Sequence, residues 1–212
     1  MDIKEILIIL LAAFVLGLSF AIPNVTSSTL GRLFIFFLVI IILNTIAKKA
    51  VAYFYEADTE TRLWSVFHYG FKQGSHFRKP LPMIWLPLLL SLITRGFFQW
   101  LSILEFDVTP RVERAARRHG IYGFTEMEDF HIAVIAAAGV ALNIIIAIIS
   151  YFLAGIFPTL ELFAKLNVFY AFWSLIPLSS MDGSKILFGS KAIWFILAVI
   201  ATIFLAFTLM VV

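Results

Sequence analysis

Long uncharged apolar runs decide what this chain can fold into. Ile6–Ile22, Leu33–Ala47, Ile132–Phe157 and Ile193–Val212 hold no charged residue, and Leu162–Leu178 holds only Lys165. A helix needs about 20 apolar residues to cross the hydrocarbon core of a bilayer, and these runs are of that order. The rest of the composition agrees. The chain is 62% hydrophobic and 14% charged, with a mean hydropathy of +1.00, and the charged share is about half that of a soluble globular domain. The expectation is an all-α polytopic membrane protein of about five transmembrane helices in one domain, 1–212. The segment 1–32 supplies a first span and hairpin, 33–187 the core, and 188–212 a C-terminal span.

The small net charge of +3 gives no reason to expect nucleic acid as a partner; lipid is the expected surrounding. Without cysteine, disulfides and thiolate metal sites are excluded. The N-terminal run is long for a signal peptide, and Asp2 and Glu5 spoil the basic leader that one requires, so a first membrane span is the expectation and a cleaved peptide the alternative. Pro23, Asn24 and the Ser/Thr cluster to Thr29 predict a turn. Asn24-Val25-Thr26 matches a glycosylation sequon, but it sits in a short hairpin beside the membrane, where chance is the better explanation.

Glu56–Pro80 is mostly polar. Leu81–Leu104 is apolar but poor as a straight span, because Pro80, Pro82 and Pro87 crowd its start and Arg95-Gly96 interrupts it. Basic residues flank both ends, Arg78 and Lys79 before it and Arg111, Arg114, Arg117 and Arg118 after it. Both ends are therefore expected on the same face, as in a re-entrant or membrane-edge segment. Within it Ser102–Val108 alternates like a strand. Thr109 and Pro110 then predict the start of a short helix whose arginines lie on headgroups. Lys4, Lys48, Lys49 and the 111–118 cluster place the N-terminus and the end of the second span in the cytoplasm.

Polar residues inside membrane segments are costly, and by default they are hypotheses of function. Three groups qualify. Asn44, Thr45 and Lys48 end the second span, with Asn44 and Lys48 on one helical face. Gly139 and Asn143 share a face of the third span, where neighbouring alanines allow close helix packing. Asp182 follows Pro177, which should unwind the chain, and Gly183 permits unusual dihedrals beside it. The plainer alternative is that Asp182 caps the helix that follows.

Together these segments resemble the archaeal type of the site-2 protease family of intramembrane zinc metalloproteases. That family's core carries H-E-x-x-H, then G-P-x-x-N, then N-x-x-P-x-x-x-L-D-G. The third motif is matched by Ser174-Leu-Ile-Pro177-Leu-Ser-Ser-Met181-Asp182-Gly183, with Ser174 for Asn and Met181 for Leu. The second is matched by Gly139–Asn143, with Val140 for Pro. The first falls on Asn44, Thr45 and Lys48, which stand for His, Glu and His, with Ala47, Lys49 and Ala52 matching the flanks.

The resemblance implies a site-2-protease-like core over about 33–187, and it also implies inactivity. Zinc hydrolysis needs two imidazoles, a carboxylate ligand and a basic carboxylate, and only Asp182 survives of the four. No metal or other cofactor is expected, and zinc enters only under the alternative of a divergent protease with a rebuilt site. His68, His76, His119 and His131 lack mutual metal spacing; a site from His68, His76 and Asp182 is the remote possibility. The leading expectation is a pseudoprotease that binds a membrane helix or partner protein, such as a single-span protein or an active paralogue. A small transporter component is the other alternative. Lys48 is expected either to pair with Asp182 or to snorkel to headgroups, and Lys49 to act as a positive-inside anchor.

Overall fold

The computed structural model describes residues 2–22, 25–68, 76–111 and 127–211. Four helices are long and apolar enough to cross a membrane: α1 (Ile3–Ala21), α2 (Ser27–Phe54), α4 (Asp129–Ala154) and α7 (Lys191–Val211). The expected fourth span is the shorter helix α5 (Thr159–Ser174), whose 16 residues extend about 24 Å. The expected fifth is α7, and the short helix α6 (Asp182–Gly189) precedes it, parted from it at Ser190. α2 starts earlier than expected, because the Thr26 hydroxyl accepts from Thr29 N and caps it. Ser27–Thr29 are therefore helix rather than turn; Pro23 and Asn24 lie outside the described residues.

The molecule is mostly helical but not all-α. Antiparallel β1 (Ala57–Leu63) and β4 (Leu104–Pro110) pair from Ala57 opposite Pro110 to Leu63 opposite Leu104. β2 (Ser65–His68) pairs with β3 (His76–Pro82). Thr109 and Pro110 extend the strand rather than starting a helix, since their partners Asp58 and Ala57 continue the ribbon. Arg111 closes it, with N donating to Glu56 O and the guanidinium bound to Asp58. The arginine-rich segment expected to follow as a helix lies outside the described residues.

Between the strands the chain makes an excursion. A 3₁₀ turn (Met83–Trp85) leads into α3 (Leu86–Ile93), and irregular backbone returns to β4. Its two ends are tied together, Met83 N donating to Trp64 O and Trp64 N to Ile103 O. Eight residues of helix reach about 12 Å, too short to cross a bilayer. α3 meets α1 at Ser19, whose Oγ donates to Pro87 O at 3.3 Å and whose carbonyl accepts from Ser91 Oγ at 2.6 Å. The non-helical turn beyond α3 satisfies itself: Gln99 Nε2 donates to Gly96 O, and Thr94 Oγ1 accepts from Phe98 N.

Two apolar cores result. α1, α2 and α5 enclose Leu16, Phe37 and Leu166 with Leu101 and Ile103 of the returning segment. α4, α5, α6 and α7 enclose Ile135, Val140, Ala171 and Ile186 with Phe106 of β4. The charged residues described next lie where α2, α4 and α6 meet.

Candidate functional site

α2 brings Asn44, Thr45 and Lys48 to one buried face, leaving 3%, 4% and 7% of each exposed. α4 can approach that face because Gly139 has no side chain. A Cβ there would stand 2.7 Å from both Asn44 Nδ2 and Lys48 Cε. Asn143, one turn along α4, is fully buried. The third contribution comes from the break after α5. The helix stops at Ser174, itself buried, and Leu175–Met181 are not helical, with Ser179 at φ 50°. Pro177 offers no N–H to continue the ladder. The chain resumes as α6 with Asp182 as its first residue.

Lys48 Nζ donates to Asp182 Oδ2 at 2.5 Å, with side chains 9% and 6% exposed. The end of α2 and the start of α6 thus lie at one depth. Lys48 does not snorkel outward. The N-cap of α6 is Met181, not Asp182; Asp182 Oδ1 has no hydrogen-bond partner and Oδ2 turns to Lys48. Gly183 has a different role from the one expected. Its φ is not positive, and a Cβ would fall 2.3 Å from Leu175 O, so glycine here permits contact between α6 and the end of α5.

Residues that sequence reasoning did not single out complete the centre. The Phe106 ring on β4 lies 4.7 Å from Lys48 Nζ and 4.0 Å from Lys185 Nζ, and Lys185 also donates to the Phe106 carbonyl. Ser180 donates to Glu105. Burial pushes the Lys185 ammonium below its ordinary pKa, with Asp182 the main opposing influence. Burial raises the Glu105 carboxyl, opposed by Ser180 and Lys185. Buried capacity is also left over: Asn44 Nδ2, both amide atoms of Asn143 and Asp182 Oδ1 have no hydrogen-bond partner. Such atoms suit an enclosed water, which needs two to four polar partners.

Lys49 is not a free anchor at the membrane surface. Its Nζ lies 3.0 Å from Glu5 Oε1 and donates to Thr59 O at 2.7 Å, while Glu5 Oε1 accepts from Thr61 N at 3.2 Å. This second pair fixes the start of α1 and the end of α2 to β1. His131 closes a capping box with Glu128 at the start of α4 and lies 4.8 Å from the Tyr55 ring. His68 and His76 are register partners across β2 and β3; His119 lies outside the described residues.

Zinc does not fit the centre. The Lys48 ammonium holds the Asp182 carboxylate, Asn44 offers a weakly coordinating amide, and Thr45 cannot take a proton from water at neutral pH. Compared with protein-family models, curated proteins and solved structures, the chain matches none.

Proposed function

We propose that the protein is a catalytically inactive relative of the site-2 proteases, integral to the membrane, that binds a membrane helix or partner protein within the bilayer. The observation that carries this reading is the 2.5 Å contact of Lys48 with Asp182. Three segments chosen by motif register meet at one buried point, and an ammonium stands beside the carboxylate that would ligate a metal in the family. Internal positive charge replaces metal charge there and keeps α2 and α6 together. The partner is a single-span membrane protein or a catalytically complete paralogue, and the centre and the N-terminus face the cytoplasm.

Two measurements test this reading. Zinc analysis of the purified protein should find no stoichiometric metal, whereas Asn44→His/Thr45→Glu/Lys48→His should bind zinc in a manner that depends on Asp182. Native stoichiometric zinc lost on Asp182→Ala would overturn inactivity and favour a rebuilt metalloprotease. A photo-crosslinker at Ile46, half exposed on α2, should capture a discrete membrane protein in native membranes; lipid adducts alone would count against partner binding. The unpaired amide of buried Asn143 favours, as the second reading, a polar path through the bundle. Solute flux in proteoliposomes that is lost on Lys48→Ala would move the assignment there.

A further inference from the structure

Away from the charged centre, a groove of about 200 Å³ opens between α7 and the broken end of α5, lined chiefly by Phe172, Ile176, Pro177, Trp194, Ala198 and Thr202. It follows α7 from Trp194 to Thr202, about 12 Å of helix. Its side-chain donors are already used. Trp194 Nε1 donates to Leu175 O at 2.9 Å, and Thr202 Oγ1 donates to Ala198 O at 2.7 Å. The lining therefore offers chiefly apolar contact and no free side-chain donor. Beside it Phe195, Ile196, Val199 and Ile203 are exposed, so this side of α7 faces the hydrocarbon of any bilayer it crosses. A helix is about 10 Å across, too wide to enter so small a groove; a hydrocarbon chain is narrow enough.

One turn before Trp194, on the same face, Lys191 is exposed and has no carboxylate partner among the described residues. Gly189, just before it, packs against Asp129 in the first turn of α4, which puts Lys191 at the level where two helices begin. An unpaired cation thus stands at the mouth of an apolar slot.

We propose that this groove binds one anionic phospholipid, with an acyl chain along Trp194, Ala198 and Thr202 and the headgroup phosphate at Lys191. The proposal does not depend on the ancestry of the charged centre. The test uses the full chain, purified in detergent, delipidated, and incubated with phosphatidylglycerol or phosphatidylcholine of the same chain composition. Bound lipid is counted by native mass spectrometry. One lipid should survive activation that strips the rest, with phosphatidylglycerol preferred. Ala198→Phe, which fills the groove, should lower retention of both lipids about tenfold. Lys191→Gln should abolish the preference, lowering retention of phosphatidylglycerol more than that of phosphatidylcholine, whose phosphate is already offset by its own choline. Thr202→Leu narrows the same slot and serves if Ala198→Phe does not yield monodisperse protein. Undiminished retention in the groove-filling variant overturns the site, because the bound lipid is then only annular. A transmembrane peptide retained there in place of lipid overturns it too.

Discussion

Lys48 and Asp182 both lose water where their helices meet, and a buried pair gains stability only when each charge keeps its partner. Asp182→Asn or Lys48→Met alone should destabilise the protein by about 3–5 kcal/mol, measured by unfolding in mixed detergent micelles. Combining Lys48→Met with Asp182→Leu should recover much of that loss, because no charge is then left unpaired. Additive losses would mean that the two residues act separately. The glycines differ in what surrounds them. At Gly139 the obstructing atoms belong to the Asn44 and Lys48 side chains, which can shift; at Gly183 they are the backbone of Leu175. Gly183→Ala should therefore cost more stability than Gly139→Ala, and the reverse order in the same assay would contradict the packing described. Asn44, Thr45, Lys48, Asn143 and Asp182 were legible in the sequence because interrupted apolar periodicity marks polar residues one by one; the pairing of Lys48 with Asp182 was one of two alternatives, raised by the motif resemblance. Phe106 was not legible: an alternating strand shows which residues share a face, but not which distant ammonium will sit over a ring.

At the scale of elements, the ribbon of β1 and β4 closes one side of the centre through Phe106. Glu105 ties β4 to the unwound segment through Ser180. Because burial raises its folded pKa above the ordinary 4.5, the folded state holds this proton more tightly than the unfolded chain. The resulting stability is fully present below about 4.5 and is lost as pH rises through the raised folded value. Glu105→Gln should flatten that decline in unfolding measurements taken from 4.5 toward neutrality; an unchanged slope would assign it to another group. The long helices were legible from apolar length, and the strand near 102–108 from alternation, displaced by two residues. β1 was missed because Ala57–Leu63 is polar in sequence. Its inward Thr59 and Thr61 are satisfied by groups on α1 and α2 that only folding brings near. The proline-bearing strand β3 was missed because Pro80 and Pro82 argue against a strand away from a sheet edge, and a two-stranded ribbon consists only of edges.

For the whole molecule, two charge pairs link distant parts of the chain. Glu5 with Lys49 fixes α1 to α2 and β1, and Lys48 with Asp182 fixes α2 to α6. Adjacent lysines on one helix thus serve opposite sides of the bundle. Neither partner of Lys49 was legible, because Glu5 reads only as a charge just before the first span and gives no sign of its later neighbour. The excursion through α3 returns to where it left, so it adds no crossing, and the helices before and after it keep their relative sense.

Lys48 and Asp182 are separated by 134 positions, which gives the pair a history as well as a geometry. At a synthesis rate of about 5–20 residues per second, roughly 7–27 s elapse between the two leaving the ribosome's catalytic centre. Throughout that interval the lysine has no counter-ion, so the end of α2 must wait at the aqueous boundary. The α2–α6 contact can therefore close only after Asp182 has been made. Because the chain has no cysteine, Thr45→Cys, on the same buried face of α2 as the lysine, reports this order while keeping the charge. Stalled nascent chains ending before Asp182 should react with a water-soluble thiol reagent, and full-length chains should be protected. Equal protection at both lengths would show that the helix settles without waiting for its partner.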